Sequence, residues 1–144
     1  MNALDLFLTA PNAEHLKSIQ NNAWMLTRVF QKDAKVAKEH FKFEEWLKIS
    51  KEGTIISKEE KAELEKLLKS SVSTFGDAIK YYYTLGYDNR MAWQKDFIGY
   101  AKTVKDLQRV LNLVDKKYRK EIVEKMQKIA VTDEDKQIAF FYKI

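Results

Sequence analysis

Apolar residues recur every three or four positions along most of the chain, and this spacing places them on one face of an α-helix. The clearest early run advances by 3, 4, 3 and 4 residues through Leu16, Ile19, Ala23, Leu26 and Phe30. This run predicts an amphipathic helix over about 13–31, whose apolar face is widened by Trp24, Met25 and Val29. The same reasoning predicts helices over about 34–49, 90–112 and 116–130.

The segment 58–85 carries two conflicting signals. Apolar residues keep the helical register from Leu64 to Tyr82, which is typical of one long helix. Between them lies Ser70-Ser-Val-Ser-Thr-Phe-Gly76, which is rich in residues that destabilise a helix interior. We therefore predict a break near 70–74.

Two further local signals precede this segment. Gly53 is suited to end a helix in the left-handed conformation. Ser57-Lys-Glu-Glu60 has the pattern of a capping box. In such a box the serine hydroxyl accepts the Glu60 amide, and the glutamate carboxylate bonds back to the Ser57 amide.

Residues that form tight turns are scarce, with four Gly and one Pro in 144 residues. An all-β domain needs many such turns. The sequence therefore predicts an all-α fold of six to seven helices, mostly antiparallel neighbours because the loops are short. The chain has no cysteine, so disulfides, thiol nucleophiles and cysteine-ligated zinc are excluded.

A five-residue motif, Leu-x-basic-aliphatic-bulky apolar, occurs three times, and the first residues of its copies are 38 and 43 positions apart. The copies are Leu26–Phe30, Leu64–Leu68 and Leu107–Leu111. The motif resembles the imperfect repeats of HEAT-type α-solenoids. The resemblance implies tandem helical hairpins of about 40 residues and a binding scaffold without chemistry of its own. The expected hairpins span about 13–49, 57–86 and 89–131, with a final helix at 133–144. A compact, irregular helical bundle is the alternative architecture.

The size of the chain, 144 residues, predicts a single all-helical domain with a substantial core. The first residues lack the basic region and the long apolar run of a signal peptide. We therefore expect a cytoplasmic protein, or one exported without a cleaved signal, and no membrane span. The apolar final helix is also what a fragment of a longer repeat array would show.

Three consecutive tyrosines, Tyr81, Tyr82 and Tyr83, cannot all face one core, because successive helical residues point about 100° apart. We expect at least one of these rings at the surface. Tyr87, Arg90 and Trp93 follow closely, and Tyr, Trp and Arg dominate protein–protein hot spots. These six residues are candidate partner-binding side chains.

The last predicted helix, from Lys136, is apolar on nearly every side, and such a surface needs cover. Its candidate contact residues are Phe140, Phe141 and Tyr142. The helix either plugs the core or packs on a partner, and self-association through it is one expectation.

The net charge of +5 is concentrated in one segment, because residues 87–131 hold 11 basic and 6 acidic residues. A cationic helix can follow a phosphate backbone. The alternative is a solvated face with i,i+4 ion pairs, since Glu121 and Glu124 interrupt the run. The candidate anion-binding residues are Arg109, Lys116, Lys117, Arg119, Lys120, Lys125 and Lys128.

No catalytic constellation is recognisable from the sequence, because the only histidines are His15 and His40 and neither belongs to a ligand pair. The carboxylates Glu59, Glu60 and Glu63 allow a remote hypothesis of a Mg²⁺-dependent hydrolase. We predict a non-enzymatic protein–protein interaction module without a cofactor: an adaptor, an inhibitor or a domain of a secreted effector. A nucleic-acid-associated helical protein is the alternative.

Overall fold

The computed structural model describes residues 2–54 and 57–142, and within them it contains helices and no strands. The all-α prediction is confirmed. The described residues form eleven α-helices and one short 3-10 helix at Lys116–Tyr118, so the predicted six to seven helices were too few. The α-helices are α1 Ala3–Thr9, α2 Ala13–Ile19, α3 Ala23–Lys32, α4 Ala34–His40, α5 Phe43–Glu52, α6 Lys58–Ser71, α7 Phe75–Thr84, α8 Tyr87–Tyr100, α9 Val104–Leu111, α10 Arg119–Ile129 and α11 Asp133–Phe141.

The additional helices arise because polar caps interrupt segments whose apolar register is continuous. The predicted helix over 13–31 is divided at Asn22, whose side-chain oxygen accepts the Met25 amide at 3.0 Å. The predicted helix over 34–49 is divided at Phe41 and Lys42, and the Lys42 amide donates to the Glu45 carboxylate at 2.8 Å. In both segments the predicted outer limits agree with helix ends to within three residues. The predicted continuity of each helix was wrong, because a local capping hydrogen bond is enough to start a new helix.

The predicted helix over 90–112 is also divided, between α8 and α9. The Thr103 hydroxyl accepts the Asp106 amide at 3.1 Å, and the Asp106 carboxylate accepts the Thr103 amide at 3.3 Å. This reciprocal capping box starts α9 without any glycine or proline. By contrast, the predicted break near 70–74 is confirmed, because α6 ends at Ser71 and α7 begins at Phe75.

Two local predictions near the start of α6 need correction. The Ser57 hydroxyl accepts the Glu60 amide at 3.0 Å as predicted, but the Glu60 carboxylate accepts a hydrogen bond from Gln31 at 3.0 Å instead of bonding back to Ser57. Gly53 is extended, with φ −78° and ψ 161°, and is not left-handed. A glycine is required there for close packing, because an added Cβ would overlap the Thr27 hydroxyl and lie 2.6 Å from the Ile49 carbonyl oxygen.

The chain divides into two compact units, residues 1–72 and 73–144. In unit 1, α1 packs on α2, α3 on α4, α5 on α6, and α3 also packs on α5. Aromatic rings link these helices. Between ring centroids, Phe41 lies 6.2 Å from Phe7 and 5.2 Å from Trp46, and Trp46 lies 5.4 Å from Phe30. These rings form the centre of the first core.

In unit 2, α7 packs on α8, α9 on α10, and α11 on both α9 and α10. Phe97 is fully buried and stacks against Tyr82 at 4.4 Å, Trp93 at 5.9 Å and Phe75 at 6.0 Å between ring centroids. The buried Gln94 side chain accepts the Asp115 amide at 2.7 Å. This bond fixes the start of the 3-10 helix against α8.

One helix cap recurs three times in unit 2, at threonines that are equally spaced along the sequence. Thr74, Thr103 and Thr132 each accept, at 3.1 Å, the amide of an aspartate three positions later. Each cap follows a helix that ends in nearly the same extended conformation, with ψ 121°, 121° and 120° at Val72, Ala101 and Ala130. The sequence therefore contains a Thr-x-x-Asp motif that recurs every 29 residues. We call this spacing the threonine interval.

Burial recurs at the threonine interval for part of these helices. Five of the eight buried positions of α7 and α8 correspond, one interval later, to buried positions of α9 and α10: Ala78 with Leu107, Tyr81 with Val110, Trp93 with Ile122, Gln94 with Val123, and Phe97 with Met126. The predicted hairpin limits at 57–86 and 89–131 assumed longer helices and do not match these helix pairs. That the chain is a single domain stays a prediction.

The three copies of the five-residue motif that suggested a repeat architecture lie in α3, α6 and α9. Because α6 packs as the second helix of its pair and α3 and α9 as the first, the three copies are not in equivalent positions. Among the described helices, none combines the length and the apolar character needed to cross a membrane.

Candidate functional site

The three consecutive tyrosines point in different directions, as expected for α7. Tyr81 and Tyr82 are buried, whereas Tyr83 is 53% exposed. Trp93 is buried with its ring 4.7 Å from that of Tyr81. The prediction of a partner-binding role for Tyr81, Tyr82 and Trp93 is corrected accordingly, because these three side chains belong to the core of unit 2.

The Tyr82 hydroxyl donates to the Leu113 carbonyl at 2.9 Å and so connects α7 to the turn after α9. Burial raises the pKa of Tyr82 above its ordinary value of 10.0, and the nearby Arg90 guanidinium partly opposes this shift. The ring therefore stays neutral and acts as a structural donor at physiological pH.

Arg90 is half-buried and caps the end of α7. Its guanidinium donates to the Tyr82 carbonyl at 3.0 Å and to the Tyr83 carbonyl at 3.2 Å, and it lies 5.3 Å from the centroid of the Tyr82 ring. These contacts hold the turn between α7 and α8 in place. Tyr83 and Tyr87, which is 75% exposed, are the two predicted contact residues that this turn presents to solvent.

Helix α11 buries only Ala139 among its described residues, and it leaves Phe140 60% and Phe141 79% exposed. Tyr142 is half-buried, and its hydroxyl accepts a hydrogen bond from Gln108 at 3.1 Å. Gln127 donates to the carbonyls of Ala139 and Tyr142 at 3.4 and 3.3 Å, which anchors the end of α11 to α10. Two large rings are thus held at the surface on a fixed helix.

Sequence reasoning missed two exposed apolar residues of unit 1, Trp24 at 56% and Leu6 at 41% exposure. Trp24 belonged to the apolar face of the predicted helix over 13–31. Because a new helix starts after Asn22, Trp24 lies in the first turn of α3 and escapes the core. The Asn22 cap is the signal that could have shown this.

The candidate anion-binding residues do not form one free cationic face. Lys125 is half-buried and donates to the Ala101 carbonyl at 3.2 Å. Arg119 lies 5.6 Å from the Tyr142 ring, and Lys117 lies 5.2 Å from the Tyr118 ring. All candidates other than Lys125 are exposed: Arg109, Lys116, Lys117, Arg119, Lys120 and Lys128. The exposed carboxylates of Glu121 and Glu124 lie between them in the sequence and reduce the net positive charge of this segment. Nucleic-acid binding stays a prediction.

Two of the three carboxylates of the hydrolase hypothesis make structural contacts. Glu60 binds Gln31, and Glu63 forms an ion pair with Lys38 at 2.6 Å. Within the described residues, no three potential metal-ligating side chains converge. His15 lies 2.7 Å from the Ala10 carbonyl oxygen, and the His40 ring packs edge-on against Phe7, so both histidines contact the protein itself.

Comparison of the chain with models of protein families, with curated proteins and with solved structures found no match. The surface of each unit is therefore the basis for a functional hypothesis.

Proposed function

We propose that this chain is a non-enzymatic protein–protein interaction module that acts as an adaptor, an inhibitor or a domain of a secreted effector. The observation that carries the proposal is the exposure of Phe140 and Phe141 on α11, at 60% and 79%. Burying a phenylalanine side chain that was exposed contributes about 1.5–3 kcal/mol. A complex in which a partner covers both rings is stabilised by this burial, whereas rings that stay in water contribute nothing.

The exposed rings of Tyr83 and Tyr87, at the turn between α7 and α8, support the same function. Tyrosine combines a large apolar ring with a hydroxyl, and few rotatable bonds are ordered when it binds. Arg90 already holds the backbone of this turn through two hydrogen bonds. A turn that is rigid before binding loses less conformational entropy on binding.

The proposal includes an arrangement of tandem helical pairs, similar to that of HEAT-type α-solenoids. Three observations support it: consecutive helices pack in pairs, the Thr-x-x-Asp cap recurs at the threonine interval, and five buried positions recur at the same interval. In such arrays each pair contacts its neighbours and leaves extended surfaces for binding. In this proposal the repeat length of unit 2 is the threonine interval, which is shorter than the repeat length expected from the five-residue motif.

The experiment is affinity capture with the immobilised full chain, followed by quantitative mass spectrometry. Two ring variants, Phe140→Ser/Phe141→Ser and Tyr83→Ser/Tyr87→Ser, are compared with the wild type. We expect at least one protein whose capture falls tenfold or more with a ring variant, because hot-spot truncation costs about 2 kcal/mol.

The matched controls are Lys136→Ser on α11 and Asn89→Ser on α8, which replace exposed side chains without a ring. They should capture the same protein as the wild type. Equal capture by all five proteins would show that the rings are not the binding site.

The nucleic-acid alternative is tested by retention of the same protein on DNA and RNA columns at several salt concentrations. Binding through phosphates weakens steeply with salt. Retention that falls with salt and is reduced by Lys116→Gln/Lys120→Gln would favour the alternative over our proposal.

A further inference from the structure

One side of α3 carries an aromatic residue followed by basic residues. Trp24, Arg28 and Lys32 are four residues apart, and residues at this spacing are neighbours along one side of a helix. Trp24 is 56% exposed, whereas the other two tryptophans of the chain, Trp46 and Trp93, are 2% and 6% exposed. Lys32 is exposed and Arg28 is half-buried.

One side of α11 carries the complementary residue types in the reverse order. Asp133, Gln137 and Phe141 share the spacing of four residues, and all three are exposed. Phe140 widens the aromatic end of this side. The buried Ala139 marks the opposite side, which packs on α9 and α10.

The two sides have the same length, since eight residues of α-helix span about 12 Å. When α3 and α11 are placed antiparallel, Trp24 comes opposite Phe141. In the same alignment Arg28 comes opposite Gln137, and Lys32 comes opposite Asp133. Aromatic contact at one end and opposite charges at the other fix both the direction and the register of such a pair.

We propose that copies of this chain associate head to tail, with α3 of one copy docked antiparallel on α11 of the next. The two surfaces differ, so the contact is heterologous and each copy offers one of each kind. The proposal deepens the proposed function by naming the partner of α11 as a second copy. Two helix sides bury less area than a standard interface of about 1,600 Å², so the association is weak and depends on concentration.

Sedimentation velocity of the full chain, from about 10 µM to about 1 mM, tests the proposal. The wild type should form dimers and longer assemblies as its concentration rises. Trp24→Ser and Phe141→Ser should each weaken the association at least tenfold, because each removes an aromatic anchor. Both residues are exposed, and circular dichroism checks that the variants remain folded.

Mixing the two variants gives the sharpest result. Trp24→Ser retains an intact α11 surface, and Phe141→Ser retains an intact α3 surface. An equimolar mixture should therefore form dimers at the concentrations at which the wild type associates, but no larger assemblies. A wild type that stays monomeric at about 1 mM overturns the proposal. So does a Trp24→Ser variant that still associates, because this would show α11 pairing with itself.

Charge reversal tests the register. Lys32→Glu should weaken association severalfold, and Lys32→Glu combined with Asp133→Lys should restore it, while Lys120→Glu on the exposed side of α10 should have no effect. Failure of the restoring substitution contradicts the alignment. If self-association is absent but capture of another protein still depends on Phe141, the proposed function stands and this inference fails.

Discussion

The ring of Phe97 provides the most demanding test of the core of unit 2. It is fully buried on α8 and stacks against Phe75, Tyr82 and Trp93. Replacing a buried phenylalanine with alanine removes its transfer free energy and leaves a cavity, at a cost of about 3–5 kcal/mol. Because whole proteins are stable by only about 5–15 kcal/mol, Phe97→Ala should lose a large part of the free energy of unfolding.

A milder substitution separates ring stacking from volume. Methionine occupies the corresponding buried position one threonine interval later, at Met126. Phe97→Met keeps most of the volume but loses stacked pairs worth about 0.5–1.5 kcal/mol each, partly offset by sulfur–ring contacts. We expect a net cost of about 1–2 kcal/mol, between those of the alanine variant and the wild type.

The assay is urea unfolding at 25 °C, followed by far-UV circular dichroism and tryptophan fluorescence. The matched control is Phe141→Ala, whose ring is 79% exposed and whose free energy of unfolding should change by no more than about 0.5 kcal/mol. A cost below about 1 kcal/mol for Phe97→Ala would refute the reasoning, because a stacked and fully buried ring cannot be removed so cheaply.

Three further predictions concern local structure. Thr103→Ala removes the capping oxygen of α9 and should lower the free energy of unfolding by about 1 kcal/mol, measured by urea denaturation, with no effect expected from Arg109→Ala, an exposed residue of the same helix. Gly53→Ala should destabilise by about 1–3 kcal/mol, because its Cβ meets Thr27 and the Ile49 carbonyl; Gly99→Ala, which meets nothing within 4 Å inside α8, should stabilise by about 0.5–1 kcal/mol. The raised pKa of Tyr82 gives stability that is fully present below pH 10 and is lost as pH rises further, because the unfolded chain ionises first. Tyr82→Phe should remove this loss and cost about 1 kcal/mol at pH 7 through the lost bond to Leu113; an unchanged alkaline profile would contradict the assignment.

The helical class could be predicted from the sequence because apolar periodicity and the scarcity of glycine and proline agree. The break at Ser71–Thr74 was also predictable, since serine and threonine both weaken a helix there. The break at Ala101–Thr103 was not. No residue in it opposes a helix strongly, and the apolar register continues from Phe97 through Val104 to Leu107. The competing capping box decided the outcome.

The candidate surface was predicted in part for a similar reason. Three adjacent tyrosines require that one ring face outward, but only the packing of α8 on α7 decides that this ring is Tyr83. Phe140 and Phe141 could be identified because the last helix has more apolar residues than one buried side can hold. Trp24 was assigned to a core face because its exposure depends on the Asn22 cap, which divides one apolar run into two helices.

The most direct measurement for an interaction module is site-specific photo-crosslinking in cells that produce the protein. A benzophenone amino acid replaces Phe141 in one sample and the exposed, non-aromatic Lys66 of α6 in another. Our account predicts a discrete protein adduct from position 141 and none from position 66. Irradiation that yields no protein adduct from position 141, or equal adducts from both positions, would contradict it.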